Sequence, residues 1–315
     1  MGGKCIMIKY DVFEKVGVES EDIPYIMEID KIYGEKVELL ANDYKKELCK
    51  HPFEPMDIKT LDEKLRRSKE VVTIVGELSL EHSYTLQLIF WLYLVPYMEE
   101  NYKKYSIDME IFRDTVADIS YKIKECKNLY GVVGVFSSRY VVAQEINLFA
   151  LGRLQYNLRT YELDDYNWGD YTLKKGDTVY SCHIPSSGPL KEEDCFLSFK
   201  KAYEFFGGEK LKGRILPIYC NSWMLYPPYI EKVYGENSNL KKFSQMFDIV
   251  NCVEEGNDFT ACWRIFNKSY EGSSKGLPDD TSLRRNMKNY IDNYGVFGRG
   301  EGIILFDGEK IVNKK

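Results

Sequence analysis

The stretch His183-Ile184-Pro185-Ser186-Ser187-Gly188-Pro189-Leu190 constrains this chain more than any other. Thr178 to Ile184 reads as a strand, and a helix is predicted over about Leu190 to Phe206, where Gly207-Gly208 stops it. Another strand runs from Arg214 to Cys220. Proline and glycine thus punctuate a passage from strand to helix and back to strand, which is the order of an α/β protein. Pro217 cannot donate to a ladder, so it marks an edge, a bulge or a place where strands diverge.

A chain of 315 residues is long for one hydrophobic core, and about two domains are expected. The first third is predicted mainly helical. Apolar residues recur at three and four spacing from Glu21 to Lys50, and further helices fall at Leu61–Glu77 and Leu80–Tyr105, with Pro96 a kink or boundary. Near Ile111 the character changes. An amphipathic helix carries Phe112, Val116, Ile119 and Ile123 on one face, a second helix is expected from Ser137 to Phe149, and a β-like run spans Leu151 to Leu163. Beyond Cys220 come a short helix near Asn239 to Phe247, strands near Ile249 to Val253 and Phe259 to Phe266, and a helix capped by Thr281. Asp307-Gly308 signals a terminal hairpin. The expected organisation is a helical N-terminal domain over 1–108 and an α+β domain with a mixed sheet over 109–315.

Charge and cysteine usage exclude several classes. A net charge of −6 argues against nucleic-acid binding, which needs a basic face. The most apolar segment, Leu86 to Met98, is too short to cross a bilayer, which takes about 20 apolar residues. The N-terminus lacks the apolar core of a signal peptide, and Ile6 occupies the Ser or Thr position of a myristoylation motif. Eight cysteines are scattered without a C-x-x-C pair, and there are three histidines, so no metal site is expected. Reduced thiols and a cytoplasmic location follow as expectations.

Several strings resemble the GNAT superfamily of N-acyltransferases, and more specifically proteins with a GNAT-like C-terminal domain. They are Phe112-Arg113-Asp114-Thr115, Leu151-Gly152-Arg153-Leu154-Gln155, His183-Ile184-Pro185 with Gly188-Pro189-Leu190, Ser222-Trp223, and Leu277-Pro278 with Thr281-Ser282-Leu283. The resemblance implies a splayed sheet, acyl-CoA as co-substrate, and transfer of its acyl group to a small-molecule or peptide amine by direct attack in a ternary complex. One departure matters. The superfamily's Arg/Gln-x-x-Gly-x-Gly/Ala phosphate signature is replaced here by Ile184-Pro185-Ser186-Ser187-Gly188-Pro189-Leu190.

The residues themselves suggest roles. His183 ends a strand, where open α/β sheets place ligand crevices, and its imidazole suits a general base; a histidine that merely holds the loop in shape is the plainer reading. Ser186, Ser187 and Gly188 would meet cofactor phosphates at a helix N-terminus, with Pro189 at its first position. Against this, Glu192, Glu193 and Asp194 repel phosphate and already complement the helix dipole. Cys220 and Ser222 would line the same cleft, and Trp223 and Arg153 would meet the acceptor. Tyr226 or Tyr229 would supply the phenolic acid that the resemblance implies. Two alternatives stand beside the transferase: a non-catalytic binding protein, and a thiol enzyme pairing Cys220 with His183. Gly298-Arg299-Gly300-Glu301-Gly302 precedes a strand, the wrong order for a dinucleotide loop, and reads as a bend.

Overall fold

The computed structural model describes residues 7–47, 51–136 and 148–314. It divides into two compact units, one of residues 1–150 with 185–187, the other of 151–184 with 188–315. The first unit therefore includes two helices that the sequence reading assigned to the second domain.

The first unit is helical: α1 (Tyr10–Val16), α2 (Ile23–Tyr44), α3 (Ile58–Glu77), α4 (Ser83–Lys104), α5 (Met109–Val116) and α6 (Asp118–Tyr130). The apolar run of α4 is buried almost all round, from Leu86 to Met98, because α1, α2, α3 and α5 pack against it. The helix continues through Pro96, which is not a boundary. Asp30, buried on α2, accepts hydrogen bonds from Tyr93 Oη at 2.8 Å and from the Ile8 N–H at 2.9 Å. Thr115, the last residue of the Phe-Arg-Asp-Thr string, accepts from the Ala150 N–H at 2.9 Å. It thereby fixes where the chain leaves the helices. The helix expected from Ser137 falls outside the described residues, except that Phe149 lies in a strand.

The second unit is built on a sheet with strand order β1-β2-β5-β6-β8-β7. The strands are β1 (Phe149–Leu151), β2 (Leu154–Thr160), β5 (Thr178–His183), β6 (Leu216–Ser222), β7 (Asp248–Gly256) and β8 (Phe297–Phe306); β3 (Tyr166–Trp168) and β4 (Tyr171–Leu173) form a separate hairpin. The β5–β6 pair is parallel, while β2–β5, β6–β8 and β7–β8 are antiparallel, so the sheet is mixed. Pro217 sits inside β6 opposite Leu305 of β8, not at an edge, and precedes the first β5–β6 pair.

Alternation divides the strands between two faces. Helix α7 (Glu192–Phe205) covers one of them. There Ser198 Oγ donates to the Leu151 carbonyl at 2.5 Å and accepts the Leu154 N–H at 3.2 Å, while Phe199 packs on Phe306. The opposite face carries Asn157, Ser181, His183, Tyr219, Asn221 and Glu301, with the β3–β4 hairpin packed over Tyr219, Ile303 and Leu305 at one end. Helices α8 (Pro227–Lys232), α9 (Asn239–Gln245), α10 (Cys262–Phe266) and α11 (Ser282–Asn293) complete the unit, and Thr281 caps α11 by accepting the Arg284 N–H.

Three expectations need correction. Phe259 to Phe266 is not a strand, because Cys262–Phe266 is helical and its apolar residues fill a core with Tyr229, Met287 and Tyr290. Helix α7 begins at Glu192, so Pro189 lies before its cap instead of at its first position. Gly298 to Gly302 is not a bend but runs straight within β8.

Candidate active site

The opening in the sheet comes from a short ladder. β5 pairs with β2 at six positions and β6 with β8 at seven, yet β5 and β6 pair only at Tyr180–Ile218 and Ser181–Tyr219. Beyond these pairs the two strands run on to His183 and Ser222 with no ladder between them. Strand edges beyond the end of a ladder are where a guest that can hydrogen-bond like a strand would pair.

His183 stands at one lip of this opening. Its Nε2 lies 2.8 Å from Asn157 Oδ1, and Asn157 stands on β2 beside Ser181. A carbonyl oxygen only accepts, so with Oδ1 in this place Nε2 carries the proton and Nδ1 keeps its lone pair. Although solvent reaches the ring, desolvation by the surrounding protein pushes its pKa down to about 4, and the nearby Arg159 charge adds to the effect. The imidazole is therefore neutral at pH 7.

Across the opening, Glu301 of β8 is 8% exposed and accepts three hydrogen bonds. Tyr219 Oη and Asn221 Nδ2 donate to Oε1 at 2.6 and 2.7 Å, and Asn251 Nδ2 donates to Oε2 at 2.7 Å. Sequence reasoning missed Asn157 and Glu301. The available signal was the run Gln155, Asn157, Arg159, whose polar residues alternate with buried Leu154, Tyr156 and Leu158.

The remaining candidates are dispersed. Arg153 donates to the carbonyls of Gly188 and Pro189 at 2.8 and 3.0 Å, so its guanidinium braces the loop instead of waiting for the acceptor. Gly188 has φ 127°, in the region that favours glycine, and lies exposed with Ser186 and Ser187. In the helical unit, Ser186 Oγ donates to Glu125, which Lys122 pairs at 3.1 Å. Ser222 Oγ accepts the Met224 N–H and starts a short turn, and half-buried Trp223 packs edge-on to Tyr234.

Two expectations fail on geometry. Register places Cys220 level with Cys182, on the α7 face and away from His183; it is fully buried, and the two thiols contact each other, so no Cys220–His183 pair exists. Tyr226 and Tyr229 are 3% and 1% exposed in the core beside α10 and α11. Tyr226 packs against Gly298, which faces away from the side bearing Glu301 and His183. Neither phenol shares the face of the histidine, and burial raises the pKa of both.

Residues 10–142 match the N-acyltransferase N-terminal domain, and residues 148–304 match the GNAT-like C-terminal domain. The chain is a GNAT-like N-acyltransferase-domain protein. Its fold resembles solved acyltransferases. One, in complex with CoA and 10C-teicoplanin, is 17% identical over 93% of this chain and 98% of that one, with a TM-score of 0.59. Another, with decanoyl-CoA and teicoplanin, is 17% identical over 94% and 98%, with a TM-score of 0.58. A third, with decanoyl-CoA, is 18% identical over 93% and 98%, with a TM-score of 0.59. None of the curated proteins is similar enough to count as a relative. In this GNAT-like protein no helix is long and apolar enough to cross a membrane, and no cluster of metal-binding side chains occurs, both among the described residues.

Proposed function

We propose that the chain transfers an acyl group from acyl-CoA to an amine in a ternary complex, with His183 as the proton acceptor. The observation that carries this is the open stretch between β5 and β6, with a neutral, oriented imidazole at its lip. The facing backbone edges suit the amide-rich arm of CoA, and the structural neighbours bind CoA or decanoyl-CoA. Two of them also bind teicoplanin, a precedent for a small-molecule or peptide-like acceptor.

The chemistry then follows from valence. The amine lone pair attacks the thioester carbon, a C–N bond forms, and the carbonyl pair moves onto oxygen. The nitrogen becomes positively charged and acidic, and His183 Nδ1 takes its proton. An imidazole of low basicity does this only once the C–N bond is forming, which disfavours idle protonation of the free enzyme. Collapse of the oxyanion breaks the C–S bond, and the leaving thiolate takes up the proton that the imidazolium gives back, directly or through solvent. The phosphate contacts remain a separate part of the proposal: exposed Ser187 and Gly188 are available, whereas Ser186 is committed to Glu125.

Calorimetry with acetyl-, octanoyl- and decanoyl-CoA tests the first half, and saturable binding of at least one is expected. Absence of binding to all three sinks the reading. His183→Gln should retain that binding and lose transfer by about a hundredfold or more. Binding without transfer by the wild type to any amine would leave a binding protein.

A further inference from the structure

The sheet face that carries His183 also holds a buried carboxylate whose partners are all neutral. Glu301 receives Tyr219, Asn221 and Asn251, and among the described residues it makes no ion pair. Arg159 acts on Tyr219 and on His183 through space, without a contact to the carboxylate. Neutral donors aim a carboxylate without supplying a paired positive charge. Such a group suits a cationic guest.

Its position suits the opening as well. Asn221 pairs with Glu301 across β6 and β8, and the Tyr180–Ile218 register sets Asn221 level with His183. Glu301 therefore lies one strand beyond β6 from His183, on the same face of the sheet. Asn221 is exposed, which connects the carboxylate cluster to solvent.

We propose that Glu301 recognises the acceptor as an ammonium ion on entry, its proton passing to solvent before the free amine attacks, and thereby selects cationic primary amines over neutral ones. This rests on the acyl-transfer reading. The plainer role is a strut tying β6, β7 and β8 together, and the charge of the acceptor separates the two.

The test uses octanoyl-CoA as donor, with benzylamine (an ammonium ion near neutral pH) and p-toluidine (uncharged there) as acceptors. Glu301→Gln should raise KM for benzylamine by about tenfold or more. It should leave KM for p-toluidine within about twofold and octanoyl-CoA binding unchanged. Equal losses on both acceptors, or no loss on either, would overturn the proposal. If that variant does not fold, Asn221→Lys places a fixed ammonium beside the carboxylate from an exposed position. It should give the same selective loss, and an equal effect on both amines would overturn the idea. If the wild type binds octanoyl-CoA yet acylates no amine, the acyl-transfer reading fails by itself. Benzylamine binding then decides by NMR titration: shifts that vanish in Glu301→Gln support cation recognition, and absence of shifts refutes it.

Discussion

Asn157 holds Nε2 of His183 at 2.8 Å, so under the proposed mechanism its effect would belong to the proton-transfer step and not to cofactor affinity. Asn157→Ala frees the ring to rotate and change tautomer. Transfer should fall by about tenfold to a hundredfold while the Kd for acyl-CoA stays within error. A variant whose KM for acyl-CoA rises instead, with kcat intact, would show that Asn157 shapes the cofactor site. Histidine at a strand end was legible in the sequence, because strand periodicity sets both its face and its position. Its partner was not, because Asn157 is 26 residues away and meets it only through the β2–β5 register.

At the scale of the element, the glycines of β8 explain a pattern that looked like a loop. Gly298, Gly300 and Gly302 share one face, where a Cβ on Gly300 would lie 2.1 Å from the Leu225 carbonyl oxygen. A Cβ on Gly298 would collide with Tyr226, and one on Gly302 with Phe247. The alternation clears one face for close packing while Arg299 and Glu301 point to the other. Gly300→Ala should therefore cost about 3 kcal/mol in urea unfolding, since backbone cannot yield as a flexible side chain does. Gly235→Ala, which meets nothing within 4 Å, should stay within about 0.5 kcal/mol. Equal costs at both sites would refute the packing account. The sequence reading made the run a bend because it precedes a strand instead of a helix, and spacing along the chain does not show which neighbours each glycine admits.

For the whole molecule, two groups give opposite pH slopes. His183 has its pKa lowered from 6.5 to about 4, so as pH falls through that window the unfolded chain takes up a proton that the folded chain refuses, and stability drops. Asp118 on α6 is 3% exposed and its Oδ1 has no hydrogen-bond partner. Burial raises its pKa from 3.8 to about 6, with Lys122 opposing and Glu125 adding to the shift. The folded chain protonates Asp118 first, so stability rises as pH falls from about 6 to about 3.8 and is lost on returning upward. Urea melts of wild type, His183→Gln and Asp118→Asn across this range should separate the two slopes. Asp118→Asn should gain up to about 3 kcal/mol at neutral pH and lose the rise on acidification. A variant no more stable than wild type at neutral pH would refute the strain at Asp118.

Local pattern by itself determined the helical first third, the strand before Pro185, the helix after it, the cap at Thr281 and the strand-end position of His183. Each depends on residues close in sequence, where periodicity, capping and turn chemistry act. Tertiary structure alone decided that the β5–β6 ladder stops after two pairs, that Cys220 meets Cys182 instead of His183, that Tyr226 and Tyr229 belong to the core, and that Asn157 and Glu301 share a sheet face with His183. Strand order and register determine which distant residues share a face. A shift of one residue would move every side chain to the other side.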